Sequence, residues 1–236
     1  MRLRAITLAL LAVAGVGCQQ GTGRGPSAAG EEERVRYVAL GDSYTIGTSV
    51  SEAERWPNQL AARLPELEVV ANLAVNGYTS GDLIDRELPA LAEFDAELVS
   101  VLIGVNDVVQ RVSDGAYASN VATILDRILE HVAPDRIVCV ATPDYTRTPR
   151  GAEYGDPEAQ SDAIVRFNAI LREACEGRGA AFVPEIFEIS LEASDDPALV
   201  ASDGLHPSGE QYRRWVDVIE PVVRGLVAPG SAAWSD

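Results

Sequence analysis

The chain has 236 residues, of which 47% are apolar, and a formal net charge of −17. All 19 basic residues are arginine, so the chain has no lysine for a Schiff base or a Walker-type phosphate loop. The acidic excess argues against a nucleic-acid partner, because binding to phosphates needs clustered Lys or Arg. The length is enough for one sizeable hydrophobic core, and we predict a single folded domain over residues 34–230.

The first 18 residues have the pattern of an export signal. Arg2 and Arg4 precede the apolar run Ala5–Val16, which is too short to cross a bilayer. Small residues then lead to Cys18, so the segment resembles a bacterial lipoprotein signal, in which the cysteine is lipidated and anchors the protein to a membrane. The alternative is cleavage after Ala14, which leaves a soluble secreted or periplasmic protein. Residues 19–33 are rich in Gly and Glu and are predicted to form a flexible tether.

From residue 34 onward, short β-rich runs alternate with helical patterns. The predicted strands are Val35–Leu40, Leu67–Ala71, Leu98–Ile103, Arg136–Ala141 and Ala181–Val183. Strands that alternate with helices form a parallel sheet with helices on both faces. The sequence therefore predicts a three-layer α/β fold with five strands.

Two of the helical patterns are the clearest. The first has one apolar face at a 3.6-residue period: Val121, Ile124, Leu125, Ile128, Leu129 and Val132. The last helix repeats that period with Tyr212, Trp215, Val216, Ile219, Val223 and Leu226. Ser208 and Gln211 precede it at capping-box spacing. His131 lies at the edge of the first apolar face, one turn before Pro134, and we interpret it as a structural residue at a helix C-terminus.

Two cysteines remain in the predicted domain, Cys139 in a strand pattern and Cys175 near a helix end. A bridge between them would close a long loop and stabilise the fold by about 3–4 kcal/mol on the chain-entropy account. We predict two buried thiols, with the disulfide as the alternative.

Five residues with chemically useful groups follow the ends of the predicted strands. Ser43 follows the first strand, Gly77 the second and Asn106 the third, while Asp203 and His206 lie beyond the fifth. In an open parallel sheet, ligands bind outside the carboxyl ends of the strands. We therefore expect all five residues at one edge of the sheet.

These residue types fit acyl transfer. A serine hydroxyl is a poor nucleophile until an imidazole takes its proton, and the imidazole needs a third group to fix its tautomer. Ser43, His206 and Asp203 can fill those roles. The backbone N–H groups of Ser43 and Gly77, with the Asn106 side-chain amide, can donate to the oxygen that becomes negative in the transition state.

The same residues carry a family resemblance. Gly41-Asp42-Ser43, Gly77, Gly104-Val105-Asn106-Asp107 and Asp203-Gly204-Leu205-His206 resemble, in order, the four blocks of the SGNH hydrolases, also called the GDSL lipase/esterase family. The resemblance implies a flavodoxin-like strand order 2-1-3-4-5, no metal or cofactor, and hydrolysis of carboxylic esters. It also implies the roles given above, with Ser43, Gly77 and Asn106 as the oxyanion hole. Tyr44 stands where the family motif has Leu, which bears on the substrate pocket.

Other functions stay open at this point. The same machinery could serve an acyltransferase or a carbohydrate O-deacetylase, so the substrate could be a small ester, an acylated sugar or a lipid. A non-catalytic envelope binding lipoprotein is a further alternative, and the oligomeric state is open. An α/β-hydrolase elbow is disfavoured because no Gly-x-Ser-x-Gly occurs, and two distant histidines offer no zinc-ligand spacing.

The remaining polar residues near the predicted site receive no catalytic role. We interpret Asp42 and Asp107 as holding turns together by side-chain to backbone hydrogen bonds. A polar loop after the fourth strand could line the pocket or be solvated, and its candidates are Tyr145, Arg147, Arg150 and Tyr154.

Overall fold

The structure, a computed structural model, describes residues 34–228. Its centre is one parallel sheet in the order β2-β1-β3-β4-β5, which confirms the predicted fold class and strand order. The strands are β1 Val35–Gly41, β2 Leu67–Asn72, β3 Leu98–Leu102, β4 Ile137–Val140 and β5 Ala181–Val183. The predicted export signal, Cys18 and the tether over residues 19–33 lie outside the described residues.

The helices form the outer layers. They are α1 Ser43–Ile46, α2 Trp56–Arg63, α3 Ser80–Asp82, α4 Leu88–Leu91, α5 Val105–Val109, α6 Asp114–Ile128, α7 Pro157–Glu176, α8 Glu185–Leu191 and α9 Gly209–Val227. A π-helical turn, Leu83–Glu87, joins α3 to α4. Short 3₁₀ turns cover Glu52–Glu54, Pro134–Arg136, Tyr145–Arg147, Gly151–Tyr154, Glu192–Ser194 and Pro197–Leu199. Within residues 34–228, no helix has the length and apolarity needed to cross a membrane.

The hydrophobic core lies between the sheet and two helix pairs. Strands β3 and β4 are buried along their whole length, as expected for central parallel strands covered on both faces. Helix α2 packs against α9, and α6 packs against α7. The largest fully buried side chains include Trp56 and Trp215, one from each helix of the first pair.

The predicted helix boundaries need one correction. Helix α6 ends at Ile128, so Leu129 and Val132 do not continue its apolar face as helical residues. The residue before a proline is disfavoured in the helical region, and Ala133 before Pro134 is extended, with ψ 157°. His131 is therefore an exposed turn residue. The predicted start of α9 is correct, because the Ser208 hydroxyl accepts the Gln211 N–H at 3.2 Å.

The two cysteines form a disulfide, so the prediction of buried thiols is wrong. Cys139 in β4 and Cys175 in α7 are both fully buried, and their Cα atoms are 6.6 Å apart. Helix α7 packs on β4, which brings the two sulfur atoms together in the core. Closing a loop with a sequence separation of 36 stabilises the fold by about 3–4 kcal/mol on the chain-entropy account.

Candidate active site

The candidate nucleophile follows a backbone position that only glycine can occupy. Gly41 ends β1 with φ +149°, and a Cβ atom there would come within 2.2 Å of the Leu102 carbonyl oxygen on β3. The chain then turns at Asp42, whose carboxylate caps α1 by accepting the Tyr44 N–H at 3.0 Å. This turn places Ser43 at the first position of α1, where it is 7% exposed.

Asp203 and His206 lie in a short loop before α9 and form a hydrogen-bonded pair. Asp203 Oδ2 accepts from His206 Nδ1 at 2.6 Å and from the Ser49 hydroxyl at 2.7 Å. Its Oδ1 accepts the backbone N–H groups of Leu205 at 2.9 Å and His206 at 3.0 Å. The loop is closed behind the pair, since the Ala201 N–H donates to the His206 carbonyl at 2.7 Å.

The charge on Asp203 fixes the imidazole tautomer. Burial raises the pKa of this carboxyl group, but the hydrogen bonds from His206, Ser49 and the Leu205 backbone lower it by more, so its pKa lies well below the ordinary value. An ionised carboxylate only accepts hydrogen bonds, so His206 Nδ1 must carry the proton. Nε2 is then the ring nitrogen that can accept a proton.

Ser43 and His206 line the same cavity, which has a volume of about 210 Å³. Gly77 and Asn106 line it as well, so the structure brings four of the five predicted residues to one wall and connects the fifth, Asp203, through His206. Among residues 34–228, no hydrogen bond joins Ser43 to His206. Catalytic hydrogen bonds are often long before substrate binds.

Two backbone N–H groups at this cavity are available to a ligand. The Tyr78 N–H donates to the Val75 carbonyl at 3.2 Å, which closes a turn with Gly77 at φ +81°. Glycine suits this third turn position because φ is positive there. Within residues 34–228, neither the Gly77 N–H nor the Ser43 N–H meets an acceptor.

The Asn106 side chain is oriented by its neighbours. Its Nδ2 donates to the Tyr78 carbonyl at 2.9 Å and, over a longer 3.4 Å, to Asp42 Oδ2. The shorter bond fixes the amide plane beside the turn of Gly77. The longer bond is weak, and its hydrogen is the one that an oxyanion in the cavity could take over.

Three buried carboxyl groups, Asp42, Glu87 and Asp107, lie behind Ser43, and we call them the acid layer. Burial raises the pKa of Asp42 to about 7, with the Tyr44 N–H opposing and the Asp107 charge adding to the rise. Burial also raises the pKa of Glu87 to about 9, although Glu87 accepts the Gly41 N–H at 2.9 Å. Burial raises the pKa of Asp107 too, against the hydrogen bonds from Ser80.

The predicted side-chain to backbone hydrogen bonds are present for both Asp42 and Asp107, but only Asp42 holds a turn. Asp42 holds its own turn through the Tyr44 N–H. Asp107 instead accepts from the backbone N–H and the hydroxyl of Ser80, so it joins α5 to the start of α3. Glu87 has no counterpart in the sequence analysis, because it lies within an ordinary helical pattern.

The sequence profile of the GDSL-like Lipase/Acylhydrolase family matches residues 39–214. The chain belongs to this family. The match runs from the end of β1 into α9 and so includes every residue of the site described above. No curated protein matches the chain.

Solved structures similar to this GDSL-family chain have the same fold at low sequence identity. A lipase/acylhydrolase from Enterococcus faecalis is 17% identical, with a TM-score of 0.66 over 84% of this chain and 100% of the other. An acetyl xylan esterase from Geobacillus stearothermophilus is 17% identical, with a TM-score of 0.61 over 86% and 97%. The esterase EstA from Pseudoalteromonas sp. is 16% identical, with a TM-score of 0.60 over 82% and 99%.

The remaining cavity wall of this GDSL-family chain is mostly aromatic and apolar. Tyr44, the departure from the family motif, faces the His206 ring at a centroid distance of 5.2 Å. Tyr145 and Tyr154 line the cavity and pack edge to face at 6.0 Å. The two loop arginines point elsewhere: Arg150 pairs with Glu153 and Arg147 with Asp144. Asn76 and three apolar residues complete the wall: Val105, Val109 and Leu205.

Proposed function

We propose that this chain is a serine ester hydrolase that cleaves carboxylic esters through Ser43, His206 and Asp203. The observation that supports this most is the Asp203–His206 hydrogen bond of 2.6 Å at the cavity that Ser43 also lines. The fold and the family membership are consistent with it. A non-catalytic binding protein has no need of an imidazole whose tautomer is fixed at a cavity that a serine also lines.

In the first half of the proposed reaction, Ser43 Oγ attacks the ester carbonyl carbon while its proton passes to His206 Nε2. The carbonyl oxygen becomes an oxyanion, which accepts hydrogen bonds from the Ser43 N–H, the Gly77 N–H and Asn106 Nδ2. Ionised Asp203 stabilises the imidazolium that forms. Collapse of the tetrahedral intermediate breaks the ester C–O bond, and Nε2–H gives its proton to the leaving alkoxide.

The second half repeats these steps with water. His206 takes a proton from a water molecule that attacks the acyl-enzyme carbonyl carbon, and a second oxyanion forms against the same donors. The bond to Ser43 Oγ then breaks, Nε2–H returns the proton to Ser43, and the acid is released. An alcohol or sugar hydroxyl in place of this water would make the reaction an acyl transfer.

The size of the cavity favours a short acyl group. Its volume of about 210 Å³ lies below the range of about 300–1,000 Å³ that is usual for sites of drug-sized ligands. We therefore propose short-chain esters as substrates, with acetylated sugars as a specific candidate because one similar structure is an acetyl xylan esterase. Deacetylation of a carbohydrate needs no group beyond those already named.

We also propose that the reaction takes place in the cell envelope, with the chain held to a membrane through a lipid on Cys18. Support comes from the pattern of residues 1–18 and, independently, from the Cys139–Cys175 disulfide. Disulfides persist in oxidising compartments and are rare in the cytosol.

The test is hydrolysis of nitrophenyl esters of increasing acyl length, and of acetylated sugars, by the purified chain. We expect turnover that is highest for the shortest acyl groups. Ser43→Ala should abolish it, because Ser43 is the one serine or threonine among the described residues that line the cavity. Ser119→Ala, at an exposed position on α6, is the matched control and should keep wild-type turnover. Unchanged hydrolysis by Ser43→Ala would remove the serine mechanism.

A further inference from the structure

Among the residues that the structure describes, Ser49 is the one partner of the Asp203 carboxylate that comes from outside the Asp203 loop. The other three hydrogen bonds to this carboxylate come from Leu205 and His206, its own neighbours in sequence. The Ser49 hydroxyl donates to Oδ2, the same oxygen that accepts the His206 Nδ1–H. Ser49 therefore acts on the atom that orients the imidazole.

The backbone of Ser49 is in a conformation that serine rarely adopts. Its φ is +67°, in the left-handed region, and its side chain is exposed, so no packing holds it there. Glycine or asparagine occupies this region at lower cost. A serine that keeps this unfavourable conformation while its hydroxyl donates to Asp203 indicates a functional role for the side chain.

Ser49 is also joined closely to the nucleophile. The Gly47 and Thr48 N–H groups both donate to the Ser43 carbonyl at 3.1 Å, which fixes the segment after α1 against the nucleophile turn. The Thr48 hydroxyl donates to the Asn76 side chain, beside Gly77. The segment that carries Ser49 is thus anchored to Ser43 at one end and to the oxyanion turn along its side.

We propose that Ser49 is a positioning residue that aligns the Asp203–His206 pair with Ser43. The Ser49 hydroxyl, in the segment after α1, fixes Asp203 Oδ2, and Asp203 in turn orients the imidazole. This positioning role rests on the proposed hydrolase function, in which His206 is the base. Ser49 itself touches neither substrate nor reacting atoms.

The charged and titratable groups that face Asp203 come from several elements of the described structure. They are the His206 imidazole, the Arg150 guanidinium and the buried phenols of Tyr44 and Tyr212. None of these donates to Oδ2 except His206. Loss of the Ser49 hydroxyl therefore leaves the His206 Nδ1–H as the one hydrogen bond to Oδ2 among the described residues.

Two substitutions at Ser49 separate positioning from a general structural role. Ser49→Gly removes the hydroxyl but suits the left-handed backbone, so thermal stability should be equal or higher. Ser49→Thr keeps the hydroxyl but places a β-branched residue at positive φ, so thermal stability should fall. If Ser49 positions Asp203, Ser49→Gly lowers kcat about tenfold with KM changed by less than about twofold, whereas Ser49→Thr keeps most of the activity.

The matched control is Asp95→Gly, at another exposed residue with positive φ (+43°), at the opposite edge of the sheet before β3. It relieves the same kind of backbone cost and should leave kcat unchanged. Equal loss of kcat in Ser49→Gly and Ser49→Thr, with lower melting temperatures in both, would show mere loop damage and overturn the proposal. Wild-type kcat in Ser49→Gly would overturn it as well.

A measurement without substrate keeps this proposal separate from the hydrolase function. The chain has two histidines, so NMR of the imidazole resonances can follow His206 with exposed His131 as internal reference. Ser49→Gly should change the chemical shift of the His206 Nδ1–H, which shares Asp203 Oδ2 with the Ser49 hydroxyl, and leave the His131 resonances unchanged. An unmoved His206 Nδ1–H resonance would contradict the proposal, whereas failure of the wild-type chain to hydrolyse any ester would contradict the function instead.

Discussion

Two carboxyl groups near Ser43, Asp203 and Glu87, are in opposite protonation states near neutral pH. Asp203 has four hydrogen-bond donors and a side chain that is 23% exposed, and its pKa lies well below the ordinary value. In the acid layer, Glu87 is 2% exposed and has one donor, the Gly41 N–H. Its second oxygen has no hydrogen-bond partner within residues 34–228.

The comparison shows that the number of donors, set against burial, decides where negative charge resides in this site. Near neutral pH Asp203 is ionised, on the far side of the imidazole, where its charge stabilises an imidazolium. Glu87, with a pKa raised to about 9, is protonated. A neutral carboxyl group behind Ser43 does not repel the oxyanion that the proposed reaction forms in front of it.

The largest effect on kcat is expected at Asp203, because the proposed reaction needs its negative charge. In Asp203→Asn, the amide can donate to His206 Nδ1 and so favour the tautomer in which Nε2 carries the proton and cannot accept one. We expect kcat to fall by about 10³–10⁴-fold. Steady-state kinetics on the best short-chain ester measure this loss.

The matched control for that variant is Asp196→Asn. Asp196 also accepts the N–H two residues later, from Ala198 at 3.1 Å, but it lies away from the cavity. The kcat of Asp196→Asn should stay at the wild-type level. A loss below about tenfold in Asp203→Asn would mean that another group orients the imidazole.

A smaller effect is expected at Asn106, which lies between the cavity and the acid layer. Asn106→Ala removes one donor of the proposed oxyanion hole and should lower kcat by about 10²–10³-fold, with little change in KM. Asn58→Ala, on α2, is the control. If Asn106→Ala changed KM alone, the side chain would bind substrate without preference for the transition state, and the oxyanion assignment would be withdrawn.

The sheet and the position of the site could be predicted because they depend on local patterns. Buried parallel strands appear as continuous apolar runs, and all five predicted strands differ from the observed ones by at most one residue at either end. Once the strands are placed, topology brings the ends of β1, β2 and β3 to one edge. The position of three site residues follows from that step alone: Ser43, Gly77 and Asn106.

What could not be predicted depends on distant segments. The Cys139–Cys175 disulfide requires that α7 lie over β4 in one register, which no local pattern states. The Ser49 hydrogen bond requires a positive φ at a residue type that seldom has one. Glu87 lies in a π-helical turn that directs its side chain to Gly41, and the sequence there resembles any amphipathic helix.

The smallest effect on rate, but the sharpest test of the acid layer, is expected from Glu87→Gln. Glutamine resembles a protonated carboxyl group, so kcat near neutral pH should stay within about twofold of wild type. The folded-state pKa of about 9 lies above the ordinary value of 4.5, so between these values the folded chain holds a proton that the unfolded chain has lost. The stabilisation from this protonation is complete below about pH 4.5 and is lost as pH rises towards about 9.

Wild type should therefore lose stability relative to Glu87→Gln as pH rises through that window, by up to about 1.4 kcal/mol per pH unit. Denaturant unfolding of both proteins at several pH values measures the difference. Glu97→Gln, at an exposed carboxylate that also accepts one backbone N–H, is the control and should run parallel to wild type. A constant difference between wild type and Glu87→Gln across the window would mean that Glu87 is ionised in the folded chain, and that the acid layer does bring negative charge behind Ser43.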